Sequence, residues 1–148
     1  GQVIERLSAA GLVDLGDRAM TITVRGRRLL IAGNERPWFR RRKGETPSYS
    51  LPADFRLLLS HSPDQINWAR EQGFDLMLAG HTHGGQIRLP VVGPIVSPSS
   101  FGVKYASGTF FEPPTLMHVT RGISSQVALR LNCPPELTKL ILKRAPLH

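Results

Sequence analysis

The feature that most constrains the chain is a pair of short apolar runs, each ending at a histidine, with a capped helix between them. The first run, Phe55-Arg56-Leu57-Leu58-Leu59-Ser60, stops at His61. The second, Asp75-Leu76-Met77-Leu78-Ala79, stops at Gly80-His81-Thr82-His83-Gly84-Gly85. Short, nearly continuous apolar runs of this kind are strands buried on both faces. Between them, Ser62-Pro63-Asp64-Gln65 carries the marks of a helix start: a serine N-cap, proline at the first helical position and glutamine three residues after the cap. Ile66, Ala69 and Arg70 continue the helix to Gly73, a natural stop. Strand, helix and strand joined by so short a crossover predict a right-handed βαβ unit with a parallel pair, and so an α/β fold.

The flanks are weaker in signal. Val3, Ile4, Leu7 and Ala10 recur at helical spacing and Gly11 ends the pattern, predicting a short opening helix. Leu12 to Leu15 reads as a strand. Met20, Ile22 and Val24 alternate with Thr21, Thr23 and Arg25, then turn through Gly26-Arg27 into Arg28 to Ala32, which predicts a hairpin. Residues 33–52 read as a long polar loop. After the second histidine motif come β-rich runs at Gln86 to Leu89, Thr109 to Phe111, Leu116 to Thr120, Val127 to Leu131 and Leu137 to Leu142, predicting an antiparallel finish.

The chain has 148 residues, 41% hydrophobic and 20% charged, which suits one domain with a packed core. No apolar run approaches the ~20 residues needed to cross a bilayer. The opening Gly1-Gln2-Val3-Ile4-Glu5 enters an amphipathic pattern at once and without an initiator methionine, which is the expectation for a piece of a longer domain. The single cysteine, Cys133, excludes an internal disulfide and a multi-cysteine zinc site. Its proline neighbours offer no base, so it reads as a buried thiol at a strand end.

Net charge is +8. The cations cluster at Arg36, Arg40, Arg41, Arg42 and Lys43, and again at Arg25, Arg27 and Arg28. A solvated loop, an anion-binding patch and a basic half lacking its acidic half all fit. A basic module binding nucleic acid or an anionic membrane surface is the alternative function. It leaves the histidines unexplained, and its stacking platform is thin, with Trp38, Phe39 and Tyr49 alone near the basic loop. Nucleic acid is therefore not the favoured partner.

The chemistry lies with the histidines. His61 and the pair His81 and His83 follow the C-terminal ends of two neighbouring strands, the edge where open α/β sheets bind ligands. Imidazole is the commonest protein metal ligand, and three suit a catalytic zinc site with an open position. In extended backbone an H-x-H pair turns both rings to one face, and Gly80, Gly84 and Gly85 permit the tight turns such a site needs. His118, within Leu116-Met117-His118-Val119, reads as a structural strand histidine. Asp64 belongs to the helix N-terminus, and Asp75 starts its strand at the end remote from His81.

Leu58-Leu59-Ser60-His61-Ser62-Pro63-Asp64 and Asp75 through Gln86 resemble the last two motifs of the calcineurin-like metallophosphoesterases. The match is best to the bacterial subgroup of UDP-diacylglucosamine pyrophosphatase-like enzymes and small membrane-associated phosphodiesterases. It extends through Arg88-Leu89-Pro90, the Gly108 region and Thr120-Arg121-Gly122. The resemblance implies that residues 1–148 form the C-terminal half of a four-layer α/β/β/α sandwich. It implies two divalent ions (Mn, Fe or Zn), with His61 and His81 on one and His83 on the other. It implies hydrolysis of a mono- or diester or pyrophosphate bond in a small-molecule or phospholipid-like substrate, with Arg88 and Arg121 as candidates to contact its phosphate. The parent is then bacterial, in the cytoplasm or peripheral to a membrane.

The family's earlier motifs, Asp-x-His, Gly-Asp-x-x-Asp and Gly-Asn-His-Asp/Glu, supply the bridging aspartate and the histidine that protonates the leaving group. None is present here, and Gly33-Asn34-Glu35 lacks the histidine and is set aside. No catalytic residue is therefore assigned within the chain. The expectations are partial or no metal occupancy, no activity without the missing N-terminal half, and self-association through an uncovered sheet face bearing Leu57, Leu59, Met77 and Leu116.

Overall fold

The computed structural model describes residues 2–36, 49, 51–124 and 129–143. Helix α1 (Gln2–Ala9) opens the chain, followed by strands β1 (Ala19–Val24), β2 (Arg27–Asn34) and β3 (Phe55–Ser60). A 3-10 turn (Pro63–Gln65) leads into α2 (Ile66–Glu71) and β4 (Leu76–Ala79), and a second 3-10 turn (His83–Gly85) follows. The strands β5 (Arg88–Leu89), β6 (Gly93–Pro94), β7 (Gly108–Glu112) and β8 (Thr115–Val119) complete the order. Six strands form one sheet in the order β1-β2-β3-β4-β8-β7. Its interior strands β2, β3, β4 and β8 are parallel, and β1 and β7 pair antiparallel at the edges. The fold is therefore mixed α/β, built around the expected parallel pair.

Local sequence explains most of this. β1 and β2 meet at Arg25-Gly26, with φ of 52° and 75°, the positive values that a two-residue type I′ hairpin demands. Ser62 is extended, with φ −126° and ψ 147°, and its Oγ accepts from the Asp64 N–H at 3.2 Å. Gly73, at φ +68°, ends α2. Gln65 does not close a capping box; its Oε1 accepts from Asn34 Nδ2 at 3.4 Å instead. The N-terminal turn of the βαβ helix is thus tied sideways to the neighbouring strand end.

One sheet face carries Leu30, Ala32, Leu58, Met77, Met117 and Val119, packed with Ile66, Ala69, Phe74 and Tyr105. Tyr49 joins this core from beyond β2, its ring edge-on to Trp68 at 5.2 Å and to Phe74 at 5.7 Å. The alternate side chains Leu57, Leu59 and Leu116 point the other way, and Leu59 and Leu116 each remain 40% exposed. Met77 was expected among these uncovered residues, but period-2 alternation puts it in the core, fully buried.

Other expectations change as well. Leu12 to Leu15 is irregular: it packs against β2 through the Leu15 carbonyl rather than joining the sheet. The finish is not wholly antiparallel, because β8 enters the interior of the sheet parallel to β4. Leu137 to Leu142 is irregular and exposed. Leu131 makes one parallel bridge to Ile87; Val127 and Ala128 lie outside the described residues. Gly33 and Asn34 end β2 rather than beginning a loop. The basic run Arg40 to Lys43, with Trp38 and Phe39, lies outside the described residues. No described helix is long and apolar enough to cross a membrane.

A Cβ on Gly33 would sit 2.0 Å from the Leu15 carbonyl oxygen. Gly33→Ala must displace backbone, so a loss of about 1–3 kcal/mol is expected in urea denaturation.

Candidate metal centre

His61 directly follows β3, and its N–H donates to the Asn34 carbonyl at 2.9 Å. Gly80 N–H reaches back to the His61 carbonyl at 3.4 Å, so the ladder between the strand ends continues past the strands. This brings His61 Nε2 to 3.1 Å from His81 Nδ1, with ring centroids 4.7 Å apart. Burial, with His81 and His83 nearby, holds the His61 pKa below its ordinary value. A neutral imidazole keeps the lone pair that a metal ligand must offer. Two ring nitrogens this close can share a cation bonded to each at ~2.0–2.1 Å. The donor set of this pair therefore fits a divalent metal.

His83 takes a different course. His81 and His83 have φ of 71° and 50°, so the pair is not extended and the rings do not share a face by strand alternation. Thr82 between them is buried and donates from Oγ1 to the Ala106 carbonyl at 2.8 Å. His83 Nδ1 lies 3.1 Å from the Ser124 carbonyl. Among the described residues, no group of three or more His, Cys, Asp or Glu side chains is arranged to hold a metal ion.

The loop carrying the pair is clamped from below. A Cβ on Gly84, at φ +70°, would stand 2.6 Å from Cys133 Sγ and 2.5 Å from Arg121 Cγ. The Cys133 thiol is buried and points at the His83 and Gly84 carbonyls at 3.4 and 3.6 Å. Arg130 donates to the His83 carbonyl at 3.3 Å, to the Cys133 and Arg121 carbonyls at 3.1 and 3.0 Å, and to the Ser124 carbonyl. Sequence reading passed over Arg130, and nothing local marks it, since its partners lie up to 47 residues away.

The two candidate phosphate contacts are also engaged within the fold. Arg88 Nη1 donates to the Gly84 carbonyl at 3.2 Å and to Ser107 Oγ at 3.4 Å. Arg121 Nε donates to Glu136 Oε2 at 2.7 Å. Asp64 accepts from Ser99 Oγ at 2.5 Å and from the Ser100 N–H at 3.2 Å, fastening residues 99–100 beside His61. His118 lies within the sheet, with Nδ1 2.9 Å from Thr109 Oγ1. Asn34, set aside in the sequence, is buried at the end of β2, one strand from His61, where its Oδ1 accepts from the Arg36 N–H at 2.9 Å. The signal was its position: like His61, it is the polar residue closing an apolar run.

A sheet of parallel interior strands that gathers imidazoles at its carboxyl edge belongs to the α/β proteins that bind ligands at strand ends. The relatives make the class particular. Over 139 residues, 93% of its length, the chain is 38% identical to the phosphodiesterase YaeI of Escherichia coli (strain K12), of which it covers 50%. Over 90 residues it is 40% identical to the uncharacterized metallophosphoesterase YkuE of Bacillus subtilis (strain 168), covering 60% of this chain and 31% of that protein. Over 88 residues it is 32% identical to the UDP-2,3-diacylglucosamine pyrophosphatase LpxG of Chlamydia muridarum, covering 55% and 27%. No family model matches the chain, and no solved structure does. The chain belongs to the calcineurin-like metallophosphoesterase family and spans half the length, or less, of these relatives.

Replacing Arg130 with Met would leave several loop carbonyls without their charged donor. A loss on the order of 2–3 kcal/mol is expected in urea denaturation, with faster amide exchange in the His83–Gly85 turn.

Proposed function

We propose that the complete protein hydrolyses phosphoester bonds, in a diester or a pyrophosphate, at a dinuclear metal centre to which this chain contributes His61, His81 and His83. The observation that carries the reading is the 3.1 Å approach of His61 Nε2 to His81 Nδ1 at the ends of adjacent parallel strands. It occurs in a chain 38% identical to a phosphodiesterase. When bound, two divalent ions would supply a nucleophilic hydroxide at neutral pH and offset charge on the phosphoryl oxygens.

The chain's own part is to hold imidazoles in place. Burial lowers the His61 pKa, which favours its neutral ring, and the Gly80–His61 backbone bond joins the two strand ends that carry the rings. His83 completes the set by turning its ring away from Ser124, a rotation about its own side-chain bonds. Asn34, at the same edge, is a further oxygen donor within reach of the strand ends. Arg88 and Arg121 would meet substrate phosphate only by exchanging their present partners, Gly84 and Glu136.

Three neutral imidazoles offset none of the charge of two cations, so the carboxylates must come from the part of the protein that this chain does not include. The open face bearing Leu59 and Leu116 is where that part would pack, and alone the chain would use it to self-associate.

The test is hydrolysis of bis(4-nitrophenyl) phosphate with manganese. The chain alone should match buffer containing the same manganese. Joined to the N-terminal part of its parent it should turn over, and His81→Ala should then cut the rate more than about a hundredfold. Full activity of the chain alone would sink the dinuclear reading. In sedimentation, the chain alone should form a dimer that Leu59→Glu weakens.

A further inference from the structure

Residues 81–86 turn almost entirely through left-handed backbone. His81, His83, Gly84, Gly85 and Gln86 have φ between 50° and 79°, a region uncommon for the three that carry side chains. Within this stretch Thr82 alone keeps a right-handed conformation, with φ −71° and ψ −17°. A backbone path of this kind persists only where its surroundings determine it, and Thr82 is where they take hold.

Each polar group of Thr82 has a partner. Its N–H donates to the Gly80 carbonyl at 2.8 Å, and its carbonyl accepts from the Gly85 N–H at 2.9 Å. Its hydroxyl, fully buried, donates to the Ala106 carbonyl at 2.8 Å. The first two bonds are local and close the turn upon itself. The third reaches 24 residues along the chain, so it decides where the turn stands.

The acceptor is itself well anchored. Ala106 is buried, and its N–H closes a turn on the Val103 carbonyl at 3.2 Å. Its neighbour Tyr105 lies in the core, edge-on to Phe101 at 5.1 Å and to Phe110 at 5.0 Å. The start of the same segment is tied to the other histidine loop, because Ser99 and Ser100 are bonded to Asp64, three residues after His61. Residues 99–106 thus brace both strand ends, through Asp64 on the His61 side and Thr82 on the His81 side.

His81 directly precedes Thr82, so its backbone cannot move far while the hydroxyl is locked to Ala106. The lock therefore bears on the approach of His81 Nδ1 to His61 Nε2. We propose that Thr82 is a positioning residue, whose bond to Ala106 sets the His81 ring against His61. Only in calling that ring pair a metal ligand set does the inference rest on the phosphoesterase reading. Thr115 supplies the control for a merely structural role. It is equally buried and donates to the Phe74 carbonyl at 2.6 Å, at the end of β8 away from the histidines.

NMR and cobalt binding on the chain and its variants test this. The parent should show a nuclear Overhauser contact between the His61 and His81 rings, whose centroids stand 4.7 Å apart. Thr82→Val and Thr82→Ala should lose it. Thr82→Ser, which keeps the hydroxyl, and Thr115→Val should retain it even where they melt below the parent. Cobalt(II) should bind Thr82→Val about tenfold more weakly than it binds the parent, Thr82→Ser or Thr115→Val. Retention of the contact in Thr82→Val or Thr82→Ala, or its loss in Thr82→Ser or Thr115→Val, would overturn the proposal. Its loss in Thr82→Val and Thr82→Ala with no cobalt bound by any form would support the positioning and sink the metal reading instead.

Discussion

Strands β3 and β4 run parallel in a register that pairs Ser60 with Ala79, and the candidate centre depends on where that ladder stops. Because the two strands end level, the next residues on each chain leave the sheet side by side. His61 is tied to Asn34 on one flank and to Gly80 on the other, while Thr120 continues the pattern by donating to the Ala79 carbonyl at 3.0 Å. A slip of one residue would move each apolar set to the opposite face and carry the histidines out of step. The fully buried Leu58, Met77 and Met117 oppose such a slip, so the geometry of the edge is set by the packing of the core.

Beyond the ladder, backbone polarity becomes the problem. The His81–Gly85 segment turns through positive φ at His81, His83, Gly84 and Gly85, leaving carbonyls that no strand can satisfy. A buried carbonyl without a donor costs about 1–3 kcal/mol. Arg130 answers this with one planar guanidinium bonded to several carbonyls at once, and Cys133 adds a weak sulfur donor. A Cβ at position 84 would push away Cys133 and Arg121, and one at position 85 would meet the Val96 carbonyl and Pro94. The two glycines are thus required by the clamp beneath them as much as by the turn itself.

This division explains what the sequence made legible. Continuous apolar runs, a serine-proline cap and a terminal glycine are local signals, and they located β3, α2, β4 and the strand-end histidines. The β1–β2 hairpin was legible for the same reason, through alternation and Gly26, although the turn falls at Arg25-Gly26 rather than the expected Gly26-Arg27. Where the decisive partner is distant, local pattern misleads. Leu12 to Leu15 and Leu137 to Leu142 are apolar enough for strands, yet neither joins a ladder. Strand β8 enters the sheet beside β4, from about 40 residues further along the chain, and no local signal records that parallel pairing. Asn34 was hidden by a motif comparison that required a histidine after it, although its place at the end of an apolar run was plain. The H-x-H pair failed as an extended segment because positive φ at each histidine overrides alternation.

Four of the acids are engaged within the fold. Asp54 accepts from the Arg28 N–H at 2.7 Å and Asp75 from the Arg56 N–H at 2.8 Å, each fixing a strand start at the end of the sheet away from the histidines. Asp64, the acid nearest His61 in sequence, is occupied by Ser99 and Ser100, and Glu136 is bonded to Arg121. These carboxylates are building elements, and freeing one for a cation would release the segment it holds. Imidazole is the ligand that such an edge can offer cheaply: neutral when buried, it needs no counterion in the fold. The same neutrality leaves the charge of any bound cation for other groups to balance.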